Sequence, residues 1–216
     1  MEEHKIRVIY KGIDLEAFRP GHKNHSSRVR ILYVGQLVAT KGVHELLEAF
    51  TKLYEEFQDI ELWICARSSG EPLENRVKEL GKHYPIRLLE QVPYTELPKV
   101  YKDCDIYCHL SEDWKYLGLI PGGNDWFPYA VLEAMACGLP VVATGVGGIP
   151  EQLGEHNIIV EQKNANSAYC GLRSLVMDKK RREHLGKENV LRMKQMFDIK
   201  KQAELTEQAI LEVLER

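Results

Sequence analysis

No apolar run in the 216 residues is longer than a few positions, so the chain lacks a stretch able to cross a bilayer as a helix. It also lacks a strong charge of either sign, because 29 Lys and Arg stand against 32 Asp and Glu for a formal net charge of −3. Without a bulk cationic field, nucleic acid is not an expected partner and membrane contact is expected to be peripheral at most. Any anion must therefore meet a local site. Cysteine is scarce and unpatterned. Cys65, Cys104, Cys108, Cys137 and Cys170 make an odd count without a C-x-x-C pair, which argues against a disulfide framework and a zinc ribbon and for a reducing, cytoplasmic setting. Residues 1–5 are mostly charged, so no signal peptide is expected. Gly and Pro, at 16 and 9, are too few for a collagen-like or disordered chain.

What is present is an alternation of short apolar runs with amphipathic stretches. Residues 1–29 stand apart: Val8, Ile9 and Tyr10 are followed by Gly12, Pro20, Gly21 and a polar segment, which reads as a connector. Apolar runs at 31–35, 60–65, 86–89, 106–110, 140–143 and 158–160 predict strands. Between them, helical spacing predicts helices at 43–57, through Leu73, Val77 and Leu80, through Leu97, Val100 and Tyr101, and at 128–137, with an irregular segment at 111–124. Three further helices are predicted at 165–178, 180–196 and 199–214. Continuous apolar strands alternating with helices imply an α/β domain with a doubly wound parallel sheet, Rossmann-like, over 30–196. The last helix, in 197–216, completes a helical cap.

Ligands of open α/β sheets sit beyond the carboxyl ends of the strands, so the loops there carry the candidate chemistry. The first is Gly35-Gln36-Leu37 through Thr40-Lys41-Gly42: a glycine permits close backbone approach and Lys41 places an ammonium at a helix start, a combination suited to phosphate or to an ordinary turn with an exposed lysine. The second is Asp125 to Glu133. Pro128 suits a first helical turn, and Glu133 then lies mid-helix among apolar neighbours, where a buried carboxylate needs ligand hydroxyls or a buried base. Asp125 is a ligand acid or a helix cap. The third is Thr144-Gly145-Val146-Gly147-Gly148-Ile149-Pro150-Glu151, a loop of close backbone approach.

These residues carry a resemblance. The run from Val131-Leu132-Glu133-Ala134-Met135 to Ala143-Thr144, with Gly147-Gly148-Ile149-Pro150-Glu151 behind it, resembles the family 4 retaining glycosyltransferases of the GT-B fold (glycosyl transferases group 1). The resemblance extends to Gly12-Ile13-Asp14 with Phe18-Arg19-Pro20, which is similar to the family's interdomain linker, to Val34-Gly35 through Lys41-Gly42, and to Val92-Pro93 with Glu96-Leu97. It implies the C-terminal, donor-binding half of such an enzyme, with the N-terminal acceptor domain absent from the chain and the final helix packing toward it. The family's E-x7-E motif falls on Asp125 and Glu133. By resemblance, Asp125 is the catalytic-site acid that contacts donor-sugar hydroxyls and Glu133 contacts the ribose. Phe127, Pro128, Tyr129 and Ala130 then lend backbone groups to sugar and diphosphate, Lys41 binds the diphosphate, and Val92 touches the base.

The substrate so implied is a UDP- or GDP-sugar, with no metal or other cofactor, and the reaction is transfer of a hexose with retention to a glycan, lipid or small-molecule acceptor. Two residues depart from the family pattern. Asp125 is one methylene shorter than the usual Glu, and Gln36 stands where an Arg is usual. Arg67 and Lys115 are the candidates to restore the missing cation. The competing expectations are a non-catalytic nucleotide-sugar-binding module and a nucleotide-sugar epimerase. Asp103-Cys104-Asp105 enters a strand and is not read as a metal site. Alternation sends Cys104, Cys108 and His109 to different faces, against zinc. The basic run at 179–182 is read as solvated, with contact to anionic lipid as the alternative, and Trp114, Tyr116, Gly122 and Gly123 as parts of a lid or of a plain surface insertion.

Overall fold

The computed structural model describes residues 6–21, 27–66, 72–113, 115–116, 120–121 and 125–214. In chain order its elements are β1 (Val29–Val34), α1 (Val43–Glu56), β2 (Ile60–Ala66), α2 (Pro72–Leu80), β3 (Ile86–Glu90), α3 (Leu97–Lys102), β4 (Ile106–His109), β5 (Lys115–Tyr116) and β6 (Ile120–Pro121). There follow α4 (Tyr129–Ala136), β7 (Val141–Thr144), α5 (Ile149–Leu153), β8 (Ile158–Val160), α6 (Ala165–Met177), α7 (Lys179–Met196) and α8 (Ile199–Leu214). The apolar runs become one parallel sheet in the order β3-β2-β1-β4-β7-β8.

The central strands are apolar on both faces because both faces are covered. In β1, Ile31 and Tyr33 point into a cluster with α1, α2 and α6, whereas Leu32 points into a second cluster with α3, α4 and α5. Alternation likewise sends Cys108 to the first cluster and Tyr107 to the second. The segment before the sheet lies along the start of α8: Ile13 N–H donates to Phe197 O at 2.8 Å and Ile199 N–H to Ile13 O at 3.1 Å. Beyond this contact α8 has no buried residue. Among the described residues no helix is long and apolar enough to cross a membrane.

Three local readings need correction. The segment 111–124 is not wholly irregular, since β5 and β6 pair antiparallel within it. The glycine-rich loop ends at Gly148 and is followed by α5, where Pro150 occupies the first turn and buried Ile149 and Leu153 are one turn apart. The basic run at 179–182 is not uniformly solvated: Arg182 donates to the final carbonyls of α6, Leu175 O at 2.5 Å and Val176 O at 3.0 Å. Asp103-Cys104-Asp105 pins the start of β1, with Arg30 donating its N–H to Asp105 Oδ2 and its guanidinium to Asp103 O, both at 3.0 Å. Trp114, Gly122, Gly123 and the side chain of Tyr116, named for the lid, lie outside the described residues.

Candidate functional site

The strand order reverses at β1, which has β2 on one side and β4 on the other. Such a reversal opens a crevice at the carboxyl ends of the two central strands. The loop after β1 closes with a 3-10 turn, Ala39–Lys41, and Gly42 at φ +64°. A side chain at Gly42 would fall 2.1 Å from Leu110 O, so only glycine lets this loop meet the one after β4. A further bond, Glu112 N–H to Thr40 O at 2.9 Å, ties the two loops and brings Lys41 over the end of β4.

Asp125 is seated from below. Gly147, at φ +55°, leaves no room for a side chain, which would lie 2.3 Å from Asp125 O, and Gly148 N–H donates to Trp126 O at 2.8 Å. The close approach expected of the glycine-rich loop is thus made to the Asp125–Trp126 backbone. The Asp125 carboxylate then has two sides. Its Oδ1 is 2.5 Å from Lys41 Nζ. Its Oδ2 is 2.9 Å from His109 Nε2 and accepts the Ser111 hydroxyl. Behind them, Tyr107 OH is 3.1 Å from His109 Nδ1, and Thr144 Oγ1 donates to Ser111 O at 2.5 Å. The cluster is buried: Asp125 is 9%, His109 4% and Ser111 1% exposed. Burial alone would raise the Asp125 carboxyl, but the hydrogen bonds and charge of His109, then Lys41 and Ser111, hold it well below the usual carboxylate range.

Glu133 lies eight residues on, buried on α4. Its partners are hydroxyls: Tyr101 OH donates to Oε2 at 2.8 Å, and Tyr94 OH also reaches the carboxylate. Desolvation dominates here and pushes the Glu133 carboxyl up, against the pull of the two tyrosines. Between the acids, Pro128 is the N-cap of α4, with no side chain capping the helix and no acid in its first turn. The first-turn amides and the positive end of the helix dipole therefore face an anion-compatible space. Lys11, from the segment before the sheet, reaches the same place: its Nζ donates to Phe127 O at 3.4 Å and lies 4.9 Å from the Tyr129 ring centroid. Tyr10 stacks on Phe127 at 5.7 Å.

Of the sequence-predicted residues, Lys41 and Asp125 are brought into contact, and Phe127, Pro128, Tyr129, Ala130 and Glu133 follow on the same loop and helix. Gly35 sits at the end of β1, where its N–H donates to Cys65 O at 3.1 Å, and Gln36 is exposed with its carbonyl accepting from Tyr33 OH at 2.7 Å. Val92 is half-buried against the second cluster. Arg67 and the Lys115 side chain lie outside the described residues. Ser111, Tyr101, Tyr94 and Lys11 were not singled out as site residues, and His109 was weighed only as a metal ligand. The rule that ligands bind at strand carboxyl ends would have found His109 and Ser111 at the end of β4. Among the described residues no group of three His, Cys, Asp or Glu is placed to hold a metal. A separate cleft of about 830 Å³ opens at the amino ends of the strands, near Arg28, Asp105, Leu139 and Lys187, and contains none of the predicted site residues.

The sequence model for glycosyl transferases group 1 matches residues 14–191. The chain is 30% identical over 82% of its length to a D-inositol 3-phosphate glycosyltransferase of Corynebacterium urealyticum, and 28% identical over 85% to spore coat protein SA of Bacillus subtilis. It spans about half the length of these curated relatives, 45% and 52% respectively. Among solved structures, the C-terminal domain of a glycosyl transferase group 1 family protein from Francisella tularensis superposes with a TM-score of 0.69 at 22% identity, over 87% of this chain and all of that one. Anabaena HepE, crystallised with UDP-glucose, superposes with a TM-score of 0.75 at 18% identity, over 95% of this chain and 57% of its own.

Proposed function

Given that the chain belongs to the glycosyl transferases group 1 family, we propose that it is the donor-binding half of a retaining, family 4 glycosyltransferase that transfers a hexose from a UDP- or GDP-sugar. The observation that carries this reading is the convergence of Lys41, Asp125 and the uncapped start of α4 at the crevice between β1 and β4. In the proposed complex the first-turn amides of α4 and Lys41 receive the diphosphate, Asp125 the sugar hydroxyls and Glu133 the ribose. The cations and amides stabilise the departing diphosphate, so the reaction needs no metal. HepE, which shares the fold, was crystallised with UDP-glucose, and this favours a uridine donor for the first assays.

The acceptor would come from an N-terminal half that is not part of these 216 residues. Exposed Ile210, Leu211, Val213 and Leu214 on α8, beside exposed Ile6 and Val8, give such a half an apolar face to cover. A cytoplasmic setting agrees with five free cysteines, four of them buried. The test is calorimetric titration of the chain with UDP, GDP and ADP and their glucose conjugates, with and without EDTA. Binding of one nucleotide family, unchanged by EDTA, is the expected result. No binding at millimolar concentration would remove the reading.

A further inference from the structure

Both carboxylate oxygens of Asp125 already have partners, so a sugar hydroxyl must compete for them. An ionised carboxylate is acceptor-only, with lone pairs on both oxygens. Here the two oxygens have partners of different mobility. Oδ2 is held by His109, on a central strand, and by Ser111, whose own carbonyl is fixed by Thr144. Both holders are at least nine-tenths buried. Since the carboxylate accepts, His109 Nε2 carries the proton toward it. On the far side of the ring, Tyr107 OH lies 3.1 Å from Nδ1 and 3.4 Å from Val34 O. Oδ1, by contrast, is held by a single ammonium on a flexible four-carbon stem, in the loop that precedes α1.

We propose that the two oxygens of Asp125 have separate duties: His109 is the positioning residue that keeps Oδ2 in place, while Lys41 is an exchangeable counter-ion on Oδ1 that the donor's diphosphate draws away. Resting on the donor-site reading above, this makes the sugar subsite conditional on the nucleotide. A diphosphate carries more negative charge than one carboxylate and competes for the same ammonium. When Lys41 moves, Oδ1 becomes free for sugar hydroxyls and Oδ2 does not shift. The shorter acid then suffices, because it is anchored from behind rather than reaching forward.

The exchange has a signature of opposite signs. Titrate the chain and its variants with UDP or GDP, whichever the parent binds, and with the matching glucose conjugate. In Asp125→Asn, Lys41 loses its competitor, so affinity for the nucleoside diphosphate rises about two- to tenfold while the extra affinity contributed by the sugar falls. A purely structural role for Asp125 would lower both. In His109→Leu the nucleoside diphosphate binds within about twofold of the parent and the sugar's contribution falls about tenfold. His109→Gln, which keeps an N–H donor near the Nε2 position, restores most of it, and carries the test alone if the leucine variant does not fold. A D125N chain with weakened diphosphate binding, or an H109Q chain with no sugar contribution, overturns the inference while leaving the donor site standing. A parent chain that binds no nucleotide overturns the donor reading and this inference with it.

Discussion

The acids at positions 125 and 133 frame the same helix start, yet their surroundings are built on opposite principles. Asp125 sits among a lysine, a histidine and a serine, and its charge is favoured in spite of burial. Glu133 sits among tyrosine hydroxyls, and its charge is disfavoured because of burial. One end of the site is therefore an ionised, internally paired group that, on the proposed reading, must lose a partner before it can act. The other is an acid held by neutral donors that ligand hydroxyls can replace at little electrostatic cost. A nucleotide-sugar with charge at its centre and hydroxyls at both ends matches this asymmetry.

The largest break of the comparison comes from Lys41→Met. With the lysine side chain 13% and the aspartate 11% exposed, removing one partner strands a nearly buried charge. Because His109 and Ser111 remain, the loss is expected at the lower end of the range for such pairs, about 3 kcal/mol, read by urea denaturation at neutral pH. An equally stable variant would mean that Asp125 is neutralised by other means.

Next in size are effects of opposite sign with pH. The depressed Asp125 carboxyl contributes stability that is fully present above its unfolded value of 3.8 and is lost as pH falls below it toward the folded value. The raised Glu133 carboxyl acts the other way: stability declines as pH rises from 4.5 through its folded value, where ionisation is forced on a desolvated group. Glu133→Gln is thus expected to gain about 1–2 kcal/mol at pH 7 and to flatten the decline above pH 4.5, while nucleotide affinity weakens by about 1–3 kcal/mol. Denaturation at a series of pH values checks the first part and calorimetry the second. Stability and affinity moving together would place Glu133 in the core rather than in the site.

The layout of the sheet was legible because the central strands are buried on both faces, so Ile31 to Val34 reads as an unbroken apolar run and Ile60 to Cys65 as one interrupted only at Glu61. The helices were legible from spacing, and their ends from Pro128 and Gly138. The lysine and the two acids were legible by family resemblance, but their partners were not. Tyr101 meets Glu133 across 32 positions and Lys41 meets Asp125 across 84, and no local pattern encodes such pairings. His109 was weighed only as a metal ligand, and alternation rightly separated it from Cys108. That same alternation puts it on the face of Tyr107, two residues earlier, where the two rings stack at 6.0 Å, and Ser111 joins it at Asp125. Glycines 147 and 148 marked a close backbone approach but not its partner, because sequence cannot distinguish approach to a phosphate from approach to the chain's own backbone.

The smallest effect is expected from Tyr107→Phe, and it tests whether the two ends are independent. Tyr107 is fully buried, and burial, more than the neighbouring charges, keeps its hydroxyl protonated far above the usual tyrosine range. Its loss removes the hydrogen bond with His109 Nδ1 and a longer contact with Val34 O, for about 0.5–1 kcal/mol of stability. The ring itself stays, packed 6.0 Å from Tyr101, so the Glu133 end keeps its geometry. Nucleoside diphosphate affinity should stay within about twofold, since an unpaired Nδ1 disturbs only the anchoring of Oδ2. If instead this variant weakens the nucleoside diphosphate as strongly as Glu133→Gln does, the two acids are coupled through Tyr101 and Tyr107, and the division between them does not hold.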